Sequence, residues 1–389
     1  MTDRLSGEEL AALVERVFQP RKGEGDLAIL VDLPDAKVPD EPAWAARRAM
    51  AAEWVAALSA QRDRLGFETH LAFYPNVHTN NGDLPGQVWL HRDGPLPHRA
   101  EDLDAASALP FPELYRRHPL LIALTKFSAT APLKLAARTH PIRAATMPGF
   151  RADMIPALRL DYGEVNRRVQ LLKALLDRAE GAAFAFETPE APCQLHLDLR
   201  HRTGHASGGL LPEPGVAGNL PSGEAYIVPY EGERPGDPSR TAGVMPVQFG
   251  GEIVRYRIEG NRALAVLSRG PASAAEAAHL AAEPAYGNIA ELGLGVLAAF
   301  GVKAIGEILL DEKLGLHIAF GRSDHFGGQV GPAQFSSPEA VIHIDRVYVP
   351  ETQPDVQVRA VDLEMPEGSR IPLIRDGRYA LDFQAGAER

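Results

Sequence analysis

The chain has 389 residues, 45% of them hydrophobic, which allows two domains, and its net charge of −11 argues against nucleic acids and anionic membranes as partners. The single cysteine, Cys193, excludes an internal disulfide and a metal cluster held by thiolates. Because the sequence has neither a signal-peptide pattern nor an apolar run that could span a bilayer, we expect a cytoplasmic protein without a membrane segment.

The first half of the sequence alternates between helix and strand patterns. The apolar run 26–33 predicts a buried parallel strand, and the Ala-rich stretch 40–60 predicts a helix that Asp40 caps and in which Pro42 lies in the first turn. Further helices are predicted over residues 6–18, 133–138 and 161–178, and further strands over 67–74, 120–124 and 143–147. This alternation predicts an α/β domain with a doubly wound sheet over residues 1–188.

Beyond residue 188 the sequence changes to short strand patterns that Gly and Pro separate. The predicted strands cover residues 194–199, 224–230, 252–258, 263–267, 289–296 and 341–349. We therefore predict a second, α+β and β-rich domain over residues 189–389. The chemistry-bearing residues discussed next lie mainly in this part.

Three His-x-Asp pairs are candidates for metal ligation, because side chains two residues apart on a strand project from one face. The pairs are His91/Asp93, His196/Asp198 and His343/Asp345. The third pair lies in the strand pattern 341–349, where the intervening apolar residues suit packing. The second pair stays a rival, since His201 and His205 follow it closely. The first pair lies among Asp, Gly and Pro residues typical of an exposed turn.

Three other residues complete a possible ligand set. In the strand pattern 289–296, Glu291 shares one face with Gly293 and Gly295, and such glycines favour the close approach of a metal, a substrate or the backbone. His317 lies in an apolar run, and Glu224 opens a strand directly after a turn. Each residue alone is more typical of a structural role. Together, however, they supply the carboxylate and imidazole ligands that a pair of divalent ions requires.

The order of these residues resembles the metal-binding series of the aminopeptidase T family of metallopeptidases. The matching segments are NLPSGE with Glu224, AELGLG with Glu291, DEKLGLHIAFG with His317, and HIDRV with His343 and Asp345. Residues 125–128 and 147–149 also resemble the N-terminal domain of that family. The resemblance therefore covers most of the chain.

The resemblance implies a homodimeric enzyme whose β-rich domain holds two divalent ions, zinc or cobalt ahead of manganese or iron. Such an enzyme removes the N-terminal amino acid of a peptide by means of a metal-activated water. Glu224, Glu291, His317, His343 and Asp345 are the ligands that the resemblance implies. Glu291 also resembles the residue that carries a proton to the leaving amine.

One position departs from the family pattern. Where the family has a tyrosine, seven residues after the histidine that His317 resembles, this chain has Asp324, which His325 follows. Either residue could donate a proton or contact the substrate, and a Gly-rich loop could equally hold both without a catalytic role.

The missing tyrosine keeps other functions open. One is a hydrolase of a small non-peptide amide or ring substrate. Another is an iron-dependent dioxygenase that opens dihydroxypyridine rings. The metal site of such enzymes resembles a set of two histidines and one carboxylate. A third is a binding protein without catalysis. Glu224 and Glu291 favour the hydrolase, because the dioxygenase site lacks these two acids.

Overall fold

The computed structural model describes residues 3–92, 94–337 and 340–383. The chain divides into two compact units, one of residues 1–165 and 209–222, the other of residues 166–208 and 223–389. In chain order the strands are β1 (Leu27–Leu33), β2 (Thr69–Pro75), β3 (Gln87–Leu90), β4 (Leu109–Pro110), β5 (Leu120–Ala123), β6 (Arg143–Thr146), β7 (Gly181–Glu187), β8 (Cys193–Asp198), β9 (His205–Ser207), β10 (Val216–Asn219), β11 (Glu224–Ile227), β12 (Ala242–Phe249), β13 (Glu252–Glu259), β14 (Arg262–Val266), β15 (Ile289–Gly295), β16 (Leu316–Gly321), β17 (His343–Val347), β18 (Gln357–Glu364), β19 (Arg370–Arg375) and β20 (Arg378–Tyr379).

Most of the helices lie in the first unit. They are α1 (Gly7–Phe18), α2 (Pro42–Ser59), α3 (Arg62–Leu65), α4 (Phe111–Arg117), α5 (Thr130–Ala137), α6 (Ile155–Leu158), α7 (Tyr162–Leu176), α8 (Pro271–Ala282) and α9 (Ile308–Asp311). Single turns of tighter helix lie at Ala100–Asp102, Ala105–Ser107, Ala152–Met154, Pro284–Gly287, Leu297–Phe300, Asp324–Phe326 and Pro332–Gln334. Among the residues described, no helix has the length and apolar character that crossing a bilayer demands.

The observed division of the chain differs from the predicted boundary between residues 188 and 189. The chain divides within α7, between residues 165 and 166. Strand β7 belongs to the second unit because it pairs with β8 and β18. The segment 209–222 belongs to the first unit because its strand β10 pairs with β6.

The first unit contains a seven-stranded sheet in the order β10-β6-β5-β1-β2-β3-β4. Its neighbours from β10 to β2 are parallel, whereas β3 and β4 are antiparallel additions. The order changes direction at β1, as in a doubly wound sheet. Strands β1, β5 and β6 are buried at every residue, which suits a parallel sheet covered on both faces. The predicted α/β class of this region is confirmed.

The first two helices show how the sequence sets helix ends. At α1, Ser6 Oγ accepts a hydrogen bond from the Glu9 amide, and the Glu9 carboxylate accepts one from the Ser6 amide, so both free amides are satisfied. At α2, the prediction that Asp40 caps the helix is wrong. The capping position is Glu41, and the Asp40 carboxylate instead accepts hydrogen bonds from the Arg48 guanidinium.

The second unit contains two antiparallel sheets, which confirms the β-rich prediction. The larger sheet has the order β14-β13-β12-β8-β7-β18-β19-β20. The smaller sheet has the order β17-β16-β15-β11-β9, and each of its pairs is antiparallel. Strands β11, β15 and β16 of this smaller sheet are buried at every residue. This buried sheet carries the predicted metal ligands.

Candidate metal centre

The five predicted ligands project from one face of the smaller sheet. They are Glu224 on β11, Glu291 on β15, His317 on β16, and His343 and Asp345 on β17. Ala319 is the cross-strand partner of both Glu291 and Asp345, and Gly293 is the partner of His317. Directly opposed residues in antiparallel strands point to the same face. The register therefore brings ligands from four neighbouring strands together.

The side chains form two groups of three that share Glu291. In the first group, His317 Nε2 lies 3.2 Å from Glu291 Oε1 and 3.5 Å from Glu224 Oε2. In the second, His343 Nε2 lies 3.4 Å from Glu291 Oε2 and 3.5 Å from Asp345 Oδ1. Bonds of about 2.0–2.2 Å to a divalent ion separate its ligand atoms by roughly 3–3.6 Å. The distances from histidine to carboxylate in both groups have this spacing, and Glu291 offers one oxygen to each.

Two hydrogen-bonding features fit a cation in this centre. Glu224 Oε2 is shielded from solvent and has no hydrogen-bond partner within the described residues. A buried carboxylate oxygen without a partner is unfavourable, and a cation would satisfy it. His343 Nδ1 donates to the Arg322 carbonyl at 2.7 Å, which leaves Nε2 as the ring atom that can bind a metal. The donor set therefore suits a divalent ion.

The pKa values of the ligands show how charge is balanced when no cation is bound. Burial alone would raise the pKa of Glu291, but hydrogen bonds from His317 and His343 outweigh burial and lower it below its usual range. Burial alone would lower the pKa of His317, but bonding to Glu291 and the charges of Asp345 and Glu224 raise it to about 9. The carboxylates are thus compensated by imidazolium groups, which a binding cation must deprotonate.

Glycines leave the space that the ligands occupy. A Cβ atom on Gly293 would lie 1.9 Å from His317 Nε2, and one on Gly295 would lie 2.2 Å from the Lys313 carbonyl carbon. The sequence pattern predicted a close approach on this strand face, and the structure confirms it. The imidazole of His317 lies against β15 at Gly293, which has no side chain to obstruct it.

We expect Gly293→Ala to displace the His317 imidazole and to lower metal affinity by at least about tenfold, since loss of a partner outside the ligand shell already has an effect of that size. Titration calorimetry with Zn²⁺ measures the change. Gly251→Ala is the matched control, because a Cβ there meets nothing within 4 Å. Wild-type affinity in Gly293→Ala would contradict the steric role of Gly293.

Two charged residues beside the centre, Glu312 and Lys313, were not predicted from the sequence. The Nζ of Lys313, which is fully buried, lies 2.5 Å from Glu224 Oε1 and also contacts the Glu312 carboxylate. Burial, which the Lys313 ammonium only partly offsets, raises the pKa of Glu312 to about 8. A signal was present, because the two charged residues stand between the buried Leu310 and Leu314.

Comparisons with known proteins add information about the fold. No family model and no curated protein matches the chain. The solved structures that share the fold include two enzymes. The 2,5-dihydroxypyridine dioxygenase from Pseudomonas putida is 13% identical with a TM-score of 0.62, and the match covers 98% of this chain and 99% of that chain. AmpT from Thermus thermophilus is 17% identical with a TM-score of 0.54, covering 96% and 99%. Both of these neighbours are enzymes.

The two residues predicted to replace the family tyrosine have different surroundings. The ring of His325 lies 5.5 Å from the ring of His343, and burial together with the charge of His343 lowers the pKa of His325 to about 3. Asp324 instead forms an ion pair with Arg322 at 2.6 Å. The structure therefore places an uncharged imidazole beside the ligands and holds Asp324 in a salt bridge.

The rival histidine-rich set is not brought together as a metal site. His196, Asp198, His201 and His205 contact, respectively, the Glu364 carboxylate, the Arg200 guanidinium, the Asp237 carboxylate and the Phe326 carbonyl. Each polar group in this set thus has a separate partner. Of the remaining pair, Asp93 lies outside the described residues.

Proposed function

We propose that this protein is a metal-dependent hydrolase that holds two divalent ions and releases N-terminal amino acids from peptides. The observation that carries the proposal is the position of Glu291, which belongs to both groups of three residues and directs one carboxylate oxygen to the histidine of each. A shared carboxylate suits a pair of closely spaced ions. The fold likeness to AmpT gives further support. We include in the proposal zinc or cobalt as the preferred ions and the homodimer that the sequence resemblance implies.

The ligand residues have distinct roles in this proposal. Glu224 and His317 would hold one ion, His343 and Asp345 would hold the other, and Glu291 would contribute to both. When bound, the ions would polarise the substrate carbonyl and lower the pKa of a water molecule. Because it binds both ions, Glu291 would be a weakened base for moving the proton to the leaving amine.

Residues outside the ligand groups would orient the substrate. His325, whose pKa is about 3, stays uncharged at neutral pH and can exchange a hydrogen bond with the substrate beside His343. It holds a proton too weakly to serve as the main base. Asp324, paired with Arg322, would position the loop that carries His325.

A specific observation favours a second candidate, an iron-dependent dioxygenase that acts on dihydroxypyridines. The Lys313 ammonium already neutralises one oxygen of Glu224, which reduces the need for a cation in the first ligand group. The residues that remain are His317, His343 and Asp345, with Glu291 between the two histidines. Two histidines and one carboxylate from this set would be typical ligands of non-haem iron. The fold likeness to the Pseudomonas enzyme supports this candidate. A hydrolase of a small non-peptide amide or ring substrate would instead use the two-ion arrangement in which Glu291 is shared.

Metal content and turnover, measured on one purified batch, distinguish these functions. For the hydrolase we expect about two zinc or cobalt ions per chain at the centre and the cleavage of aminoacyl anilides or short peptides. About one ferrous ion, with dioxygen uptake on dihydroxypyridines, would replace the first proposal by the second. Protein that has been supplied with metal and still retains no ion at the Glu291 centre would contradict both the hydrolase and the dioxygenase proposals.

A further inference from the structure

We propose a separate site for a divalent transition-metal ion in the first unit, formed by Asp26, His70 and His118. Asp26 directly precedes β1, His70 lies at the start of β2, and His118 lies two residues before β5. These three strands are neighbours in the order β5-β1-β2. One ligand atom of each residue lies within 4.8 Å of the others. This inference is independent of the proposed hydrolytic function.

The main chain holds the three segments together. The Asp26 amide donates to the Arg117 carbonyl at 3.1 Å, and the Glu68 amide donates to Asp26 Oδ1 at 3.0 Å. Gly25 has φ +126°, and a Cβ there would lie 2.7 Å from Pro119 Cδ. A residue with a side chain would therefore prevent the start of β1 from approaching the segment before β5. The backbone therefore brings these three residues side by side without a metal.

The candidate ligand atoms lie close to one another. His118 Nδ1 donates to the Leu114 carbonyl at 3.3 Å, which leaves Nε2 available to a metal. The rings of His70 and His118 meet edge to face with centroids 4.9 Å apart. His70 Nε2 lies 3.6 Å from Asp26 Oδ2. This distance is too long for a hydrogen bond, but it is close to the ligand separation around an ion with bonds of about 2.1 Å.

The chemistry of the three donors selects the ion. Two imidazoles and one carboxylate suit Zn²⁺, Ni²⁺ or Cu²⁺ better than Mg²⁺ or Ca²⁺. The side chains of His70 and Asp26 are 38% and 37% exposed, so solvent can supply the remaining ligands.

The location of the site indicates a stabilising role. In open α/β sheets, substrates bind at the carboxyl ends of the strands, whereas these three residues lie at the amino ends. An ion here would connect the starts of three adjacent strands. It would stabilise the folded first unit by binding to it in preference to the unfolded chain.

Metal counting after equilibrium dialysis against Zn²⁺ tests the site in the full-length chain. His70→Ala and Asp26→Asn should each retain one ion fewer than wild type, and both positions are exposed enough to tolerate the change. His78→Ala is the matched control. It removes a histidine that contacts Asp35 at 2.6 Å in the same unit, but within the described residues no third metal ligand joins that pair. This control should retain the wild-type number of ions.

The same count in a Glu291→Gln background, where the other centre is weakened, separates this site from the hydrolytic proposal. We expect Glu291→Gln protein to keep the ion at Asp26, His70 and His118, and the additional His70→Ala change to remove it. Equal counts with and without His70→Ala, or an equal loss in the His78→Ala control, would overturn the proposed site. Neither result depends on whether the protein hydrolyses peptides.

Discussion

Replacing Glu291 with Gln should weaken binding of metal at the proposed catalytic centre by more than about a hundredfold and should lower turnover to a similar extent. Loss of a partner outside the ligand shell costs about 10–100-fold in metal affinity. Glu291 belongs to both groups of candidate ligands, so its neutralisation should affect both. An amide also has one acceptor oxygen in place of two and would turn N–H donors towards His317 or His343. Calorimetric titration with Zn²⁺ or Co²⁺ and an aminoacyl anilide assay measure these losses.

Glu190→Gln provides the control for removing one carboxylate from the second unit. Glu190 is 58% exposed and lies 3.3 Å from Arg255, a surface ion pair with little energetic weight. We expect this variant to bind metal and turn over substrate like the wild type. If Glu291→Gln behaved in the same way, the two ligand groups would not be a joint metal centre, and the hydrolase proposal would fail.

The candidate ligands could be named from the sequence because residue type and local periodicity single out some of them and the family resemblance implies the full set. His343 and Asp345 are two residues apart in an apolar strand, which places them on one face whatever their neighbours are. The glycines beside Glu291 likewise indicated a close approach on that face. What the local pattern could not supply is the register of β15, β16 and β17. Only that register places Ala319 between Glu291 and Asp345 and makes Glu291 common to both groups.

Long-range pairing also explains why the predicted division of the chain differs from the observed one. The residues of β10 have no feature that assigns them to either unit. They lie in the first unit because they add a parallel strand beside β6. The change to a β-rich pattern near residue 188 therefore reflects the strand content of the second unit, and it is a poor indicator of the position where the chain crosses into that unit.

The buried Lys313 could not be assigned a partner from its sequence neighbours, since Glu224 lies 89 residues away in the chain. Its removal provides the second large expected effect. In metal-free protein, Lys313→Met should lower the free energy of unfolding by about 3–5 kcal/mol, because loss of one member of a buried ion pair leaves its partner uncompensated. Urea denaturation in the presence of EDTA measures the change. The exposed Lys303→Met, in the same unit, should have little effect.

Divalent cations should reverse part of this loss. With the ammonium removed, both oxygens of Glu224 become available and the centre carries one more negative charge, so Lys313→Met should bind Zn²⁺ or Co²⁺ more tightly than wild type. Binding to the folded state then restores stability in proportion to the logarithm of the metal concentration. Lys313→Met protein that is destabilised but gains no affinity for metal would show that Lys313 supports the core alone. A gain in both affinity and ion number would show that Lys313 and a second cation compete for Glu224.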